Sequence, residues 1–472
     1  PNLYRNDYLY GKIRLEHNMA DYKDKKKIDI TQGSLWKNII IFSIPLMCSQ
    51  VLEILFNMTD VAVVGRFASY EALGSVGSTT LLVTLFTGLL IGMGSGINVR
   101  AAQQLGAGDD KKTARTVHTS LLLCIIIGVI LSAICVGFAR TMLTMLNTKE
   151  ELIDGAVLYF RIYGLGMPAL AVFNFGNGVL SAKGETNRPL IYLSCGGVVN
   201  IILNLVFVIG CGMAAEGVAI ASIIAQYISA GLTVKHMFGR NDSCRLRMDE
   251  LKIDPVLAKA VLVLGLPAGL QNSIFALANL FIQTGVNSFD AVMVSGNSAA
   301  ANADALMFNV MAAIYTGCAT FMGQNLGAGR HERVLKSYFI SLFYSALVGL
   351  IGGGLLIIFG RQFLSVFTTE TAVVDAGLQR LHVMGFSFFI SAFMDCTIAA
   401  CRGIGKSIVP TFIVIMGSCI FRIIWVYTIF AYFHTVPSLY LVYSCSWTIT
   451  AIAEIAYFTV SYRKLMHAQR AA

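Results

Sequence analysis

The sequence has little charge and little proline. Only 13% of its 472 residues are charged, whereas soluble domains carry about 25%. Hydrophobic residues make up 56% of the chain, which is more apolar surface than a soluble protein could bury. The eight prolines are too few for a long disordered segment. These shortages exclude a soluble globular protein and predict a polytopic, all-α protein that lies in the lipid bilayer.

Motifs for catalysis and cofactor binding are also missing. The eleven cysteines lie mostly in apolar runs without paired spacing, so we interpret them as small buried residues, neither disulfides nor metal ligands. Two Gly-Ala-Gly turns lack the Gly-Lys-Ser/Thr ending of a phosphate-binding loop, and we expect them to end helices. We therefore expect no enzymatic activity and no cofactor, and any transport must draw energy from an ion gradient or from the substrate.

Long apolar runs are abundant instead. A run of about 20 apolar residues crosses a bilayer as a helix, and the chain contains twelve such runs. The predicted spans are 36–62, 73–98, 117–140, 155–181, 189–211, 216–238, 257–284, 297–323, 335–360, 376–400, 408–433 and 438–461.

The two halves of the chain repeat each other. QQLGAG at 103–108 recurs as QNLGAG at 324–329, and Pro45 has a counterpart in Pro267. Because each half has six spans, both repeats enter the membrane in the same orientation. This arrangement predicts two six-helix lobes related by a parallel pseudo-two-fold axis along the membrane normal, as in two-lobed transporters.

The repeat also sets the predicted domain limits. We place an N-lobe at 35–238, a polar linker at 239–254 and a C-lobe at 255–461. Polar tails flank the lobes at 1–34 and 462–472. Met19 opens a plausible natural start, so we interpret residues 1–18 as an upstream extension.

Lysine and arginine are distributed unequally between the two sides of the predicted bundle. The side with both termini carries 28 of them and the opposite side carries 6, while Arg422 is assigned to neither side because it lies well inside a predicted span. Such a bias places both termini in the cytoplasm, as expected for a multi-pass protein of the inner (cytoplasmic) membrane. We assign the net charge of +9 to this topology and expect no nucleic-acid partner.

A polar stripe runs along the first predicted span. Gln50, Glu53, Asn57 and Asp60 are spaced by three, four and three residues, so they share one helix face. Carboxylates inside a membrane helix are costly and usually face a bundle interior or a water-filled cavity. The stripe indicates a cation-coupling site; the alternative is a pair of neutral acids that only join helices through hydrogen bonds.

Further polar residues lie inside other predicted spans, and their alternative role is likewise hydrogen bonding between helices. Asp395 is a candidate acid in the C-lobe, or it forms a structural ion pair with Arg402 or Arg422. Asp304 is placed at the water interface, and Glu454 is a second C-lobe acid. The candidates for a cavity shared by both lobes are Gln50, Asn177, Asn272, Asn279 and Gln283.

Several short motifs lie in the first helix or follow later spans. They are Pro45, Asn57-Met-Thr-Asp60 and Gly65-Arg66 in the first span, Gln103 to Gly108 after the second, Gly184 to Pro189 after the fourth, Phe321 to Ala328 after the eighth, and Cys401 to Gly405 after the tenth. With these motifs the chain resembles the multidrug and toxic compound extrusion (MATE) family over residues 33–465. The resemblance implies two lobes around a V-shaped cavity, a monomer, and export of organic cations in exchange for H⁺ or Na⁺.

The resemblance also implies roles for individual residues. Asp60 matches the acid implicated in cation coupling, and Asn200 and Asn204 match the Asn-x-x-x-Asp of the DinF-like branch, with Ser222 as the accompanying hydroxyl. Because position 204 lacks the second carboxylate, Glu53 is a candidate substitute.

The second branch of the family differs in the lobe it uses. Its acid on the seventh span is replaced here by Phe275, while its acid on the tenth span is present as Asp395. The branch, DinF-like or NorM-like, and with it the coupling ion, H⁺ or possible Na⁺ at Asp60, stays open at this point.

Three classes of function are compatible with such a bundle. Our first hypothesis is a cation antiporter that works by alternating access, with lipophilic organic cations as substrates. The second is a lipid-linked oligosaccharide flippase, whose anionic substrate would require basic residues along the cavity. The third, a non-transporting receptor or scaffold, has no need of an internal repeat.

Overall fold

The computed structural model describes residues 29–471, so the predicted extension at 1–18 lies outside the described residues. Thirteen long helices carry the described chain, and one short turn, Met248–Glu250, lies in the linker. The helices are α1 Leu35–Phe67, α2 Tyr70–Gly106, α3 Asp110–Met145, α4 Glu150–Gly164, α5 Met167–Ala182, α6 Asn187–Gly210, α7 Ala215–Phe238, α8 Pro255–Val286, α9 Ala291–Gly327, α10 His331–Leu364, α11 Thr371–Gly403, α12 Ile408–Phe433 and α13 Val436–Ala471.

Twelve membrane spans are formed by these helices. Eleven are individually long and apolar enough to cross a membrane, and α4 with α5 forms the twelfth as a pair bent by 45°. The break precedes Pro168 in the first turn of α5, where a residue without an N–H is tolerated. The predicted twelve-span fold is confirmed. The observed helices are longer because backbone hydrogen bonding continues through polar end turns that hydropathy does not detect.

The helix ends follow local sequence chemistry. Asp109 caps α3 by accepting the Lys112 N–H at 3.0 Å, and Asp290 caps α9 by accepting the Met293 N–H at 2.8 Å. The Gly-Ala-Gly turns end α2 and α9 as predicted. Their last glycine adopts a left-handed conformation in both lobes, with φ of +68° at Gly108 and +67° at Gly329.

Each lobe has its own apolar core. In the N-lobe, Leu90, Phe160 and Phe175 are among the buried residues that join α2, α4 and α5. In the C-lobe, Phe388 and Trp447 belong to a core that joins α11 and α13. The first half of α1 is an exception, because residues 35–46 pack with side chains of α9 and α10. Helix α1 therefore contacts both lobes.

The lobes meet along the second halves of α2 and α9 and the first half of α8. A Cβ on Gly92 of α2 would lie 2.0 Å from the Gly269 nitrogen of α8, so these helices touch through their backbones. Farther along, the Thr320 hydroxyl donates to the Asn98 side-chain oxygen at 2.9 Å. We call the end of the bundle around Gly106 the closed end.

Two glutamines tie the closed end together symmetrically. Gln103 of the N-lobe donates from Nε2 to the Gly403 carbonyl of the C-lobe at 3.1 Å. Gln324 of the C-lobe donates from Nε2 to the Ala182 carbonyl of the N-lobe at 2.5 Å. Both donors and both acceptors are separated by 221 residues in the sequence, so the same contact occurs on both sides of the pseudo-two-fold axis.

The linker between the lobes is held by an ionic cluster. Arg240 is 7% exposed and donates from both terminal nitrogens to Glu185, at 2.8 and 2.9 Å. Its Nε donates to Asp242 at 2.9 Å. Burial by itself raises the pKa of the Asp242 carboxyl, but the Arg240 guanidinium and the Lys183 ammonium hold that pKa below its ordinary value. The cluster joins the end of α7 to the turn between α5 and α6.

Replacing Arg240 by glutamine is expected to lower the thermal stability of the purified protein, because two partly buried carboxylates lose their counter-charge. Breaking a buried pair from one side costs about 3 kcal/mol. The matched control is Arg140→Gln, which removes an exposed pair with Asp154 and costs at most about 1 kcal/mol. Thermal melting of both variants in detergent compares them. Equal melting temperatures would contradict a stabilising role for the cluster.

The pH dependence of this contribution has a definite sign. Since the folded-state pKa of Asp242 is depressed, its stabilisation is present above the unfolded-state pKa of about 4. It is lost as the pH falls through the lower, folded-state value. The melting difference between wild type and Arg240→Gln should therefore be constant near neutral pH and shrink only in strong acid.

Candidate functional site

A cavity of about 400 Å³ lined by polar and apolar side chains lies within the N-lobe. Helices α1, α2, α4, α5, α6 and α7 all contribute to its wall. The whole polar stripe of α1 faces it, as a helix face with spacings of three and four residues must when one side of the helix is turned inward. The stripe residues in the wall are Gln50, Glu53, Asn57 and Asp60, and α5 adds Asn174 and Asn177.

Asp60 is the centre of a hydrogen-bonded cluster from three helices. Its Oδ1 accepts from Asn204 Nδ2 of α6 at 2.5 Å, and its Oδ2 accepts from the Ser222 hydroxyl of α7 at 3.0 Å. Asn200 Nδ2 donates to the same Ser222 hydroxyl at 3.3 Å, and Asn204 Nδ2 lies 3.3 Å from Asn200 Oδ1. The structure therefore brings together the four residues that the family resemblance assigned to one site: Asp60, Asn200, Asn204 and Ser222.

All partners of the Asp60 carboxylate in this cluster are neutral. An ionised carboxylate that has left bulk water normally needs a counter-charge. The Asn204 Oδ1 atom is buried and has no hydrogen-bond donor among the described residues. A partly buried carboxylate next to an unpaired amide oxygen is an arrangement that a cation or a proton on the carboxylate would complete.

Helix α6 positions the two asparagines through its regular geometry. Asn200 and Asn204 are one turn apart, so both side chains leave the same face toward α1 and α7. They are 5% and 0% exposed. After this turn α6 continues as a wider helical turn at Val206–Gly210. Such wide turns often occur at functional sites.

Glu53 lies on the same cavity but outside the Asp60 cluster. It is seven residues before Asp60, which is about 10 Å along the helix. Its side chain is exposed to the cavity, unlike the buried asparagines. The cavity therefore carries two acids with different surroundings, one hydrogen-bonded in the wall and one facing the open space.

Several lining residues were not singled out from the sequence. Thr80, Thr84 and Thr87 of α2 present hydroxyls whose protons are bonded to their own helix, for example Thr84 to the Thr80 carbonyl at 2.8 Å. Tyr159 and Tyr163 of α4 add aromatic faces. The spacing of the threonines by four and three residues was the available signal, but hydroxyls alone do not distinguish a cavity wall from a helix interface.

The C-lobe candidates lie outside this cavity. Asn272 donates to the Gly88 carbonyl at 3.3 Å and belongs to the contact between α8 and α2. Gln283 bonds Asn287 and Asn297, at 2.8 and 3.2 Å. Asn279 accepts from Arg422 at 3.2 Å. The structure places these amides in contacts between helices, whereas Gln50 and Asn177 line the cavity.

The expectation that Asp304 lies at the water interface is wrong. The residue is 6% exposed and accepts from the guanidinium of Arg380, which also bonds Asn297. Helix α9 begins at Ala291, earlier than predicted, so Asp304 lies more than three turns inside it. Arg380 likewise lies inside α11, so Arg422 is not alone among buried arginines.

Asp395 lies in the same lobe and forms no direct ion pair among the described residues, but buried arginines lie near enough to act on it. The charges of Arg402 and Arg422 both act on its carboxylate. Arg402 in addition donates to the Gln271 side chain at 2.9 Å. Glu454 is 0% exposed and lies 3.9 Å from the Cys401 sulfur. Arginine charges thus act on these C-lobe acids, whereas Asp60 of the N-lobe cavity is hydrogen-bonded to neutral groups.

Comparisons with known proteins agree with this architecture. A model of the MatE family matches residues 45–206 and again residues 267–428. The chain is 26% identical to the probable multidrug resistance protein YpnP of Bacillus subtilis over 368 residues, covering 77% of this chain and 81% of that protein. It is 25% identical to the probable multidrug resistance protein NorM of Thermotoga maritima over 392 residues, covering 80% and 82%.

The fold has a close match among solved structures. A MOP superfamily transporter from Pyrococcus furiosus superposes with a TM-score of 0.87 at 20% sequence identity, covering 93% of this chain and 99% of that one. The double family match confirms the internal repeat. Each limit of the second matched range is 222 residues beyond the corresponding limit of the first.

Proposed function

The chain belongs to the MatE family of membrane transporters, and on that premise we propose that it exports lipophilic organic cations in exchange for H⁺ or Na⁺. The observation that carries this proposal is the Asp60 cluster: a partly buried carboxylate on a cavity wall, hydrogen-bonded only to neutral groups. A negative charge without a fixed counter-charge attracts a mobile one.

Exchange follows from competition for this charge. When Asp60 is ionised, a cationic substrate in the cavity gains Coulomb attraction, and the rings of Tyr159 and Tyr163 offer cation–π contacts. When a proton or Na⁺ neutralises Asp60, that attraction disappears and the substrate leaves. The fluxes are coupled if the two cations prefer opposite access states of the transporter.

The cluster offers ligands for either coupling ion. The carboxylate oxygens of Asp60 can take a proton, and neutral hydrogen bonds from Asn204 and Ser222 remain possible afterwards. Alternatively, carboxylate, amide and hydroxyl oxygens are the ligand types that hard cations prefer. Asn204 Oδ1 and Asn200 Oδ1 then supply oxygens in addition to Asp60.

Helix α1 connects the site to the contact between the lobes. Its second half carries Glu53 and Asp60 into the N-lobe cavity, while its first half packs against the C-lobe. Pro45 lies between the two halves. The lobes touch at the closed end, and the distribution of lysine and arginine places that end in the cytoplasm. We therefore propose that this conformation is the outward-facing state of an inner-membrane protein with cytoplasmic termini; a monomer is what the family resemblance implies.

The test is transport by purified protein in liposomes. Ethidium efflux is measured under an imposed H⁺ gradient and, separately, under an imposed Na⁺ gradient, with protein-free liposomes as the control. We expect one of the two gradients to drive ethidium against its own gradient. If neither gradient does so while the same vesicles translocate a fluorescent lipid-linked oligosaccharide, the flippase alternative replaces our proposal.

A further inference from the structure

Helix α8 of the C-lobe corresponds to α1 but has no acid at the positions of Glu53 and Asp60. At the displacement of 222 residues given by the two family matches, Glu53 corresponds to Phe275 and Asp60 corresponds to Ile282. Both positions therefore change from a carboxylate to an apolar side chain. The element that binds a cation in the N-lobe has no negative charge of its own in the C-lobe.

The change is accompanied by a positive charge on the facing helix. At the far limits of the two matched ranges, residues 206 and 428, the displacement is again 222, one more than at Ala182 and Gly403, and Asn200 of α6 then corresponds to Arg422 of α12. The contacts are also related: Asn200 donates to Ser222 on the sixth span of its lobe, and Arg422 Nε donates to Ser446 on the sixth span of the other, both at 3.3 Å. The arginine thus occupies the position that an amide holds in the coupling cluster.

Arg422 is held as a buried charge by its surroundings. It is 1% exposed, and its Nη1 donates to Asn279, the counterpart of Asn57. Its Nη2 has no hydrogen-bond partner among the described residues. Aromatic faces compensate the charge instead: the guanidinium carbon lies 5.5, 4.6 and 5.6 Å from the ring centres of Phe275, Tyr443 and Trp447.

The same guanidinium acts on Asp395, one of the acids inside the C-lobe. The Asp395 carboxylate lies in the field of Arg422 and of Arg402. An arginine keeps its charge at every physiological pH. A second mobile cation approaching Asp395 would therefore meet two fixed positive charges, and repulsion between like charges in a buried site is large.

We propose that Arg422 is a built-in cation that takes, in the C-lobe, the place of the coupling ion that the N-lobe binds at Asp60. Asp395 then stays compensated throughout the cycle, and only the N-lobe exchanges a mobile cation. This inference rests on the proposed cation exchange at Asp60 and adds that the exchange is confined to one lobe by a residue outside the cavity.

The test compares how steeply ethidium efflux depends on the driving ion. Wild type and Arg422→Lys, which keeps the charge, should show a Hill coefficient of about 1, because a single mobile ion is used. Arg422→Gln leaves Arg402 as the arginine that compensates both Asp395 and Glu454, so a second ion should bind and the Hill coefficient should rise toward about 2. The double variant Asp395→Asn/Arg422→Gln removes both charges and should return to the wild-type value.

Two results would overturn the proposal. The first is a Hill coefficient that stays at about 1 in Arg422→Gln. The second is efflux that no longer depends on the driving ion in Asp395→Asn but still depends on it in Asp60→Asn. If Arg422→Gln does not fold, the Asp395→Asn variant and the charge-neutral double variant still give the second comparison. Ion binding without substrate separates this inference from the proposed function. Radiolabelled Na⁺ binding and acid titration should count one mobile ion in wild type and two in Arg422→Gln, even if ethidium is not transported.

Discussion

Replacing Asp60 by asparagine is expected to abolish gradient-driven efflux of organic cations while the protein still folds. Asparagine has nearly the same shape and can accept from Asn204 or Ser222 through its carbonyl oxygen. What disappears is the charge. A cation about 6 Å from a carboxylate gains about 3 kcal/mol at an effective dielectric constant of about 20, which corresponds to about 100-fold in affinity.

The measurement is ethidium uptake and binding in liposomes and in detergent. Asp60→Asn should bind ethidium about 100-fold more weakly and should show the same residual flux with and without the ion gradient. Glu53→Gln is the matched comparison, since it removes a charge from the same cavity outside the hydrogen-bonded cluster. We expect weaker ethidium binding from Glu53→Gln but unimpaired coupling. Undiminished gradient-driven efflux in Asp60→Asn would falsify the assignment of the coupling site.

Substituting alanine for Gly106 or Gly327 is expected to force the closed end apart. A Cβ on Gly106 would lie 1.9 Å from the Gln324 carbonyl oxygen, and a Cβ on Gly327 would lie 1.9 Å from the Gln103 carbonyl oxygen. Both obstacles are backbone atoms, so no side chain can rotate away. Overpacking of this kind costs about 2 kcal/mol, which shifts a two-state equilibrium by about 30-fold.

Hydrogen–deuterium exchange of the backbone amides checks this expectation. The segments 96–108 and 317–329 should exchange faster in Gly106→Ala and Gly327→Ala than in wild type, and ethidium efflux should fall because the lobes no longer close at this end. Gly108→Asn serves as the control. Its backbone is left-handed, which asparagine tolerates, and a Cβ there would meet open space. Exchange that is equal in the alanine variants and the control would show that the glycine contact does not limit closure.

The stripe on α1 shows how much of the site could be predicted from local sequence. Glu53 and Asp60 were assigned to one helix face from their spacing alone, and the structure confirms that both line one cavity. That prediction needs only the helical period, which is a property of consecutive residues. The helical period does not distinguish a polar face that lines a cavity from one that packs against another helix.

The amides of α8 illustrate this limit. Asn272 and Asn279 are seven residues apart in α8, just as Gln50 and Asn57 are seven residues apart in α1. The structure nevertheless places Asn272 against α2 and Asn279 against Arg422. Asp304 was placed at the interface for a related reason, because hydropathy gave a late start for α9 and its partner Arg380 is 76 residues away.

By itself, the sequence determined the twelve spans, the internal repeat and the polar face of α1, because hydropathy, helical period and repeated motifs are all properties of consecutive or matching residues. Only the tertiary structure decided which charges are compensated. Asp60 meets Asn204 and Ser222 across 144 and 162 residues of chain. Whether such distant side chains approach each other depends on how the helices pack, and in this protein the packing leaves the N-lobe acid with neutral partners and gives the C-lobe acid arginines.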